Sequence, residues 1–241
     1  MTKEMLVQTK KGEKLRIRRM RFMDLVGVSN TVYDAFKNSK TWHWRFGGCS
    51  DRVSRILTVY LTLDSYVDPL KDMFVASTTT NKYAGMLAYK YVTPKQTPKP
   101  WWRQLIVWAT MLLGALMFWI LGAQQVRRRF EYNGVEYRKA LVETGLLEKP
   151  NGYVHVDLLA VHVDEQHKGI AGILMDIAHD CARKHNVPSF LMASQAGFDM
   201  YVHMGYKHVS TAVLIDERTG DVVRNSPAMI WEPKDHPAVS K

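Results

Sequence analysis

Cysteine is scarce in this chain. Only Cys49 and Cys181 occur in 241 residues, too few for a disulfide framework or a cysteine-based zinc site. Cys181 falls on the apolar face of a predicted helix and reads as a buried, inert thiol. The basic N-terminal stretch MTKEMLVQTKKGEKLRIRRMRF has no apolar h-region, so a secretory signal is not expected and the reading is a cytosolic active domain. Neither G-x-G-x-x-G nor G-x-x-x-x-G-K-[ST] is present, which disfavours Rossmann and P-loop nucleotide sites. No H-E-x-x-H or comparable constellation appears, so no metal is expected. Internal repeats and low-complexity tracts are absent too. Acidic residues are outnumbered, 23 against 33 Lys and Arg, for a formal charge of +10. That excess suits an anionic partner (nucleic acid, an acidic membrane surface or a phosphorylated cofactor), or simply a basic soluble protein. The basic residues are scattered and no recognised motif carries them, so no nucleic acid is expected as a partner.

What remains fits a single domain spanning 1–241 with one insertion. Leu15–Met20 alternates apolar and basic residues, as a half-exposed strand does. Asp24 can cap a helix with Leu25, Val28, Val32, Ala35 and Phe36 on one stripe. Residues 49–66 suggest a second helix, with Ile56, Val59, Tyr60 and Leu63 on one side. MFVAS and YAGMLAYKYV, separated by TTTNK, read as an antiparallel hairpin. PKQTPKP then opens an insertion over 93–152, which Asn151-Gly152 closes. Inside it, Asn133-Gly134 in FEYNGVEYR signals a tight hairpin. Beyond it come a long apolar strand, YVHVDLLAVHV, and a helix from Gly169 stopped by Asn186 and Pro188. The strand SFLMAS, a short helix through Tyr201 and a hairpin of Tyr206–Asp216 with Val222–Trp231 complete the chain. The order is β-α-α-β-β-insertion-β-α-β-α-β-β, a mixed sheet with helices and not a doubly wound fold.

The densest chemistry lies in LLAVHVDEQHKGIAGILM. A strand runs into Gln166-His167-Lys168-Gly169-Ile170-Ala171-Gly172, where a helix starts. Small residues at 169, 171 and 172 let main-chain N–H groups approach an anion, the helix dipole favours negative charge there, and Lys168 adds a cation. The alternative is a tight turn with close helix packing. On these residues the sequence resembles the GNAT superfamily of acyl-CoA-dependent N-acyltransferases. Gln166-x-x-Gly169-x-Ala171 is similar to that family's Q/R-x-x-G-x-G/A signature. Ser194-x-x-Gly197-x-x-x-Tyr201-x-x-x-Gly205-Tyr206 resembles its second landmark, and RIRRMRFMDLVGVSNTVYDAF its opening strand and helix. The resemblance covers roughly residues 13–92 and 153–232.

The resemblance implies an α+β GNAT fold: a mixed, mostly antiparallel sheet of six to seven strands flanked by helices, with the hydrophobic helical insertion between strands 3 and 4. It implies an acyltransferase that moves an acetyl group from acetyl-CoA to a primary amine, on a small molecule or a protein, by direct attack in a ternary complex. Main-chain groups of Leu159, Val161 and Val163 would pair with the pantetheine arm. Gln166, Lys168, Gly169, Ile170, Ala171 and Gly172 would hold the pyrophosphate, with Ser194 nearby. Tyr201 would protonate the departing thiolate, a role that suits a phenol. His155 and Asp157 lie two apart on one strand and so share a face. Either could take the proton of the acceptor amine, directly or through water, and a simple hydrogen-bonded polar pair is the alternative. Some family members carry a glutamate where His155 stands. That departure leaves room for a CoA-binding or regulatory protein without turnover. Trp42 and Trp44 could wall the acceptor site, or pack in the core.

One feature resists a soluble reading. WWRQLIVWATMLLGALMFWILGAQQVRRR carries no charge from Leu105 to Ala123 and arginine on both sides. Its length suits a bilayer span. The GNAT resemblance, however, puts 82–92 and 153–163 in one sheet, so both ends must lie on the same side of any membrane. Positive flanks at both ends agree. The expectation is a segment, 101–126, that dips into one leaflet or lies along it, bending near Gly114 and tethering a cytosolic catalytic domain. Burial of the stretch against the domain or in a homodimer is the alternative.

Overall fold

The computed structural model describes residues 4–9, 12–94, 100–216 and 219–233. Eight strands form one sheet in the order β1-β2-β3-β4-β5-β6-β8-β7. They are β1 (Met5–Gln8), β2 (Lys14–Arg19), β3 (Lys71–Ser77), β4 (Gly85–Val92), β5 (Tyr153–Val161), β6 (Ser189–Met192), β7 (Lys207–Ile215) and β8 (Val222–Trp231). Every neighbouring pair is antiparallel except β5 and β6, which run parallel. The helices are α1 (Leu25–Phe36), α2 (Lys40–Phe46), α3 (Asp51–Val67), α4 (Trp101–Ile120), α5 (Gln124–Glu143), α6 (Ile170–His185) and α7 (Phe198–His203).

Sequence period explains most of these elements. In β2, Leu15 and Ile17 are fully buried while Lys14 and Arg16 face solvent, the alternation of a strand with one wet face. On one side of the sheet, Ile170, Leu174, Met175, Ala178 and Ala182 of α6 pack against Leu87, Val154 and Val156. On the other, Leu25, Val28 and Val32 of α1 pack against Met73, Val75, Met86 and Ala160. Burial of these two apolar faces is the main favourable term, about 25 cal/mol per Å² removed from water. Strand β1 was not anticipated: its side chains are exposed and it is held by main-chain pairing to β2, so no hydrophobic pattern marks it.

The insertion departs from expectation at two points. Asn133-Gly134 makes no hairpin; helix α5 runs straight through it. Val126, Asn133 and Ala140 recur every seventh residue and are all buried, so an inward stripe outweighs the local turn signal. Helix α4 is also unbroken at Gly114. That glycine marks a close approach instead, for a Cβ there would lie 2.0 Å from the Tyr60 hydroxyl. Thr110, Gly114 and Phe118 form the seam of α4 on α3, and its other sides are exposed, Trp101 to 75% and Leu112 to 71%. Phe118 joins Phe46, Leu57, Tyr60, Ala123 and Val126 in a cluster that ties α2, α3, α4 and α5 together. With β1 counted, the insertion falls between β4 and β5. Those strands are paired from Gly85↔Val161 to Val92↔Tyr153, so its two ends return to one place. Gly152 closes it with φ of +80°, where a Cβ would strike the Val92 carbonyl and only glycine fits.

Candidate active site

The parallel pair β5 and β6 is where the sheet opens. Its register covers only Val154↔Ser189, His155↔Phe190 and Val156↔Leu191, so β5 continues for five more residues without a β6 partner. The His162 amide donates to the Ala84 carbonyl on the β4 side. By alternation, the main-chain groups of Leu159 and Val161 point the other way, into the opening. There the Val161 carbonyl accepts a hydrogen bond from Gln166 Nε2 at 3.2 Å. Val163 begins the short turn after the strand and is exposed.

The turn into α6 is built by main-chain conformation. His167 has φ of +61° and Gly169 φ of +84°, both left-handed, which favours glycine at 169. Gly169 caps α6 with no side-chain bond to the first-turn amides, which leaves the first N–H groups of this helix without intrahelical partners. Ala171 and Gly172 sit in that first turn; a Cβ on Gly172 would meet Met204 at an ordinary 3.7 Å. Lys168 is less free than its sequence suggests. Its ammonium lies 2.9 Å from Glu165 and 3.5 Å from Glu13, so the positive character of the turn rests on the amides.

Tyr201 is buried in the middle of α7, edge-on to Tyr206 with 5.7 Å between ring centroids. Ser194 accepts the Gly197 amide and so caps the turn into α7. Burial pushes the Tyr201 phenol up to about 12, with Arg224 pulling slightly the other way. The group therefore holds its proton at neutral pH and is fit to donate it.

His155 and Asp157 do meet: Nδ1 lies 3.3 Å from Oδ1. A β-bulge in the β4–β5 ladder, between Ala88↔Leu158 and Tyr89↔Val156, leaves Asp157 as the extra residue and re-aims its side chain. Two lysines that the sequence did not single out complete the group, Lys71 at 3.0 Å and Lys90 at 3.8 Å from the Asp157 carboxylate. Burial raises the Asp157 carboxyl, but the facing His155 ring and the positive charges of Lys71 and Lys90 outweigh it and hold the acid below its usual range. Burial also drives His155 down to about 4 against the opposing pull of Asp157. At neutral pH the site thus holds a carboxylate neutralised by lysines beside a neutral imidazole. No sequence signal linked Lys71 and Lys90 to Asp157, because the association arises from strand register across three strands.

Trp42 belongs to the aromatic core, 4.2 Å from Phe46 between ring centroids, and Trp44 packs near Tyr132. Cys181 is half-buried and its thiol is pushed up by burial. No group of metal-ligating side chains occurs among the described residues.

No protein-family model matches the chain. A Schizosaccharomyces pombe protein named as an uncharacterized N-acetyltransferase is 42% identical over 230 residues, covering 95% of this chain and 97% of its own. Among solved structures, a candidate arylalkylamine N-acetyltransferase 7 of the yellow fever mosquito Aedes aegypti superposes with a TM-score of 0.61 at 12% identity, covering 96% of this chain and 94% of that one. A Corynebacterium glutamicum protein described as histone acetyltransferase HPA2 and related acetyltransferase gives 0.53 at 13% identity, covering 92% and 98%.

Proposed function

Because this chain belongs to the GNAT superfamily of N-acetyltransferases, we propose that it moves an acetyl group from acetyl-CoA to a primary amine by direct attack within a ternary complex. The observation that carries this reading is the opening between β5 and β6, where the main chain of Leu159 and Val161 has no β6 partner and lies beside the uncapped amides of α6. An extended arm can add as a strand along the first, while a pyrophosphate is held by the second. Gln166, Lys168, Gly169, Ile170, Ala171 and Gly172 form this cradle, and Ser194 shapes the neighbouring turn.

Roles for the reacting side chains follow from their electrostatics. Asp157 is a poor base, since two lysines and His155 already stabilise its charge. His155, whose imidazole is also made a weak base by burial, takes the amine proton at Nε2 in this account, with Asp157 on its Nδ1 side stabilising the imidazolium as it forms. The amine nitrogen forms a bond to the acetyl carbonyl carbon; collapse of the tetrahedral species breaks the carbon–sulfur bond, and Tyr201 passes its proton to the thiolate. Thiol release from acetyl-CoA in the presence of an amine panel tests the reading. Tyr201→Phe, which keeps the ring contact with Tyr206, should lower kcat by about 10²–10⁴-fold without weakening CoA binding. CoA binding with no thiol release from any amine would instead favour a regulatory CoA-binding protein.

The exposed side of α4 supports a second element, contact with a membrane surface. Trp101, Trp108, Leu112, Leu116, Trp119 and Ile120 are all exposed, and from Trp101 to Phe130 the sequence has arginines but no acidic residue. That is the composition of a helix that lies in an anionic lipid interface. The seam on α3 and the pairing of β4 with β5 are compatible with lying along a leaflet, and incompatible with a single straight crossing. The domain would then work from the cytosolic face.

A further inference from the structure

The face of the sheet opposite α6 holds charge that the reaction above does not use. Helix α2 packs against both α5 and β8. From α2, the Arg45 guanidinium lies 4.4 Å over the Phe130 ring of α5, and its Nε is buried with no hydrogen-bond partner among the described residues. From β8, Arg224 donates to the Ala193 carbonyl at 3.0 Å, beside Ser194 at the exit of β6. Helix α2 carries Arg45 onto β8, the strand of Arg224, and burial pulls the Arg45 guanidinium down to about 10, opposed by Tyr137 and reinforced by the charge of Arg224. Among the described residues neither has a carboxylate partner. Two more buried polar atoms in this region lack hydrogen-bond partners, Asn133 Oδ1 of α5 and Ser226 Oγ of β8. Ser226 alternates in step with Arg224 and Ala228, and Ala228 packs against Ala140 of α5 and Phe190 of β6. His155 lies 5.2 Å from the same Phe190 ring.

A guanidinium held largely out of water without a counter-charge is costly. An anion removes that cost, and paired guanidiniums fit the two oxygens of a carboxylate. The phosphates of CoA are expected at α6, on the other face of the sheet, so this anion is not theirs. We infer that Arg45 and Arg224, with the hydroxyl of Ser226, bind a carboxylate carried by the amine acceptor, and that the acceptor class is a small amine bearing a carboxylate, such as an amino acid. Asn133 Oδ1 is then an acceptor for a donor on the same molecule. This assignment rests on the acetyltransferase reading and narrows its substrate.

The test uses matched trios that share a side chain: an amino acid, its α-carboxamide and its decarboxylated amine, built on leucine, phenylalanine and glutamate. Thiol release from acetyl-CoA gives kcat/KM for each, and calorimetric titration of the full chain gives binding without turnover. In at least one trio the carboxylate should be preferred by about tenfold or more, the scale of one charge-assisted hydrogen bond. Arg45→Met and Arg224→Gln should each bring that ratio towards one, chiefly through KM, and Arg45→Lys should restore part of it. Arg224 lies on a different element and is half-buried, so its variant keeps the test informative if Arg45→Met fails to fold. Carboxylate, amide and bare amine treated alike in both assays would overturn the inference, and so would binding of none of them. Turnover of uncharged amines alone would overturn it while leaving the acetyltransferase reading intact. Carboxylate binding with no turnover of any amine would do the reverse.

Discussion

Two glycines in neighbouring helices offer a test of how α4 sits on the domain, because one substitution should act oppositely at the two sites. Replacing a helical glycine by alanine raises stability by about 0.8–1 kcal/mol through the unfolded chain and helix propensity. At Gly134, in α5, an added Cβ meets nothing within 4 Å, so Gly134→Ala should keep that gain. At Gly114, in α4, the added Cβ would lie 2.0 Å from Tyr60 Oη and 2.1 Å from its Cζ. Carbon contacts are comfortable at about 3.5–4.0 Å, so roughly 1.5 Å must open between α3 and α4. The Tyr60 ring is buried and held edge-on by Phe118, 5.8 Å away, which limits how far it can swing. Overpacking of this kind costs about 1–3 kcal/mol. Gly134→Ala should therefore exceed Gly114→Ala by about 1–3 kcal/mol in urea unfolding, with little change in m-value. Equal stabilisation in both variants would refute the seam and mean that α4 stands free of α3.

Further consequences concern pH, lipid and the anion cradle. Burial drives His179 down to about 4, below the ordinary value near 6.5, so the unfolded chain binds the proton first. Stability from this group is intact above about pH 6.5 and is lost as pH falls towards 4, at about 1.4 kcal/mol per pH unit; His155 acts in the same sense. His179→Gln should flatten the fall in unfolding free energy over that window by about one proton, and an unchanged slope would contradict the burial argument. Asp24, held low chiefly by hydrogen bonds from Arg18 at 2.6 and 2.8 Å, adds a separate loss at still lower pH, below its ordinary carboxylate range. Co-sedimentation with phosphatidylserine vesicles should fall at least tenfold in a Trp108→Lys/Leu112→Lys variant; retention of binding would remove α4 from the membrane contact. Ala171→Leu, at the first turn of α6, should weaken CoA by about tenfold or more if the amides there must approach the pyrophosphate closely.

Much of this architecture is legible in the chain because two periods dominate it. The stripe of Leu25, Val28 and Val32 and the spacing from Ile170 to Ala182 report helices on opposite faces of the sheet. The signature Gln166-x-x-Gly169-x-Ala171 sits where a left-handed Gly169 opens α6. What sequence could not show depends on partners far along the chain. Asn133-Gly134 is a turn signal in isolation, yet α5 is held by burial of Val126 and Ala140 against other elements. The Asp157 group is assembled from β3, β4 and β5 by register, and the cations Arg45 and Arg224 come from a short helix and the last strand. Gly114 read as a bend because its contact, Tyr60, lies on another helix.

Acetyl transfer at the opening between β5 and β6 can be followed by mass spectrometry of the acceptor. Full-length protein incubated with acetyl-labelled acetyl-CoA and the trios of amines should yield N-acetylated amine and free CoA in equal amounts. Tyr201→Phe should bind CoA normally and form product about 10²–10⁴-fold more slowly. Label that appears on no amine, or product formed by Tyr201→Phe at the wild-type rate, would contradict the account.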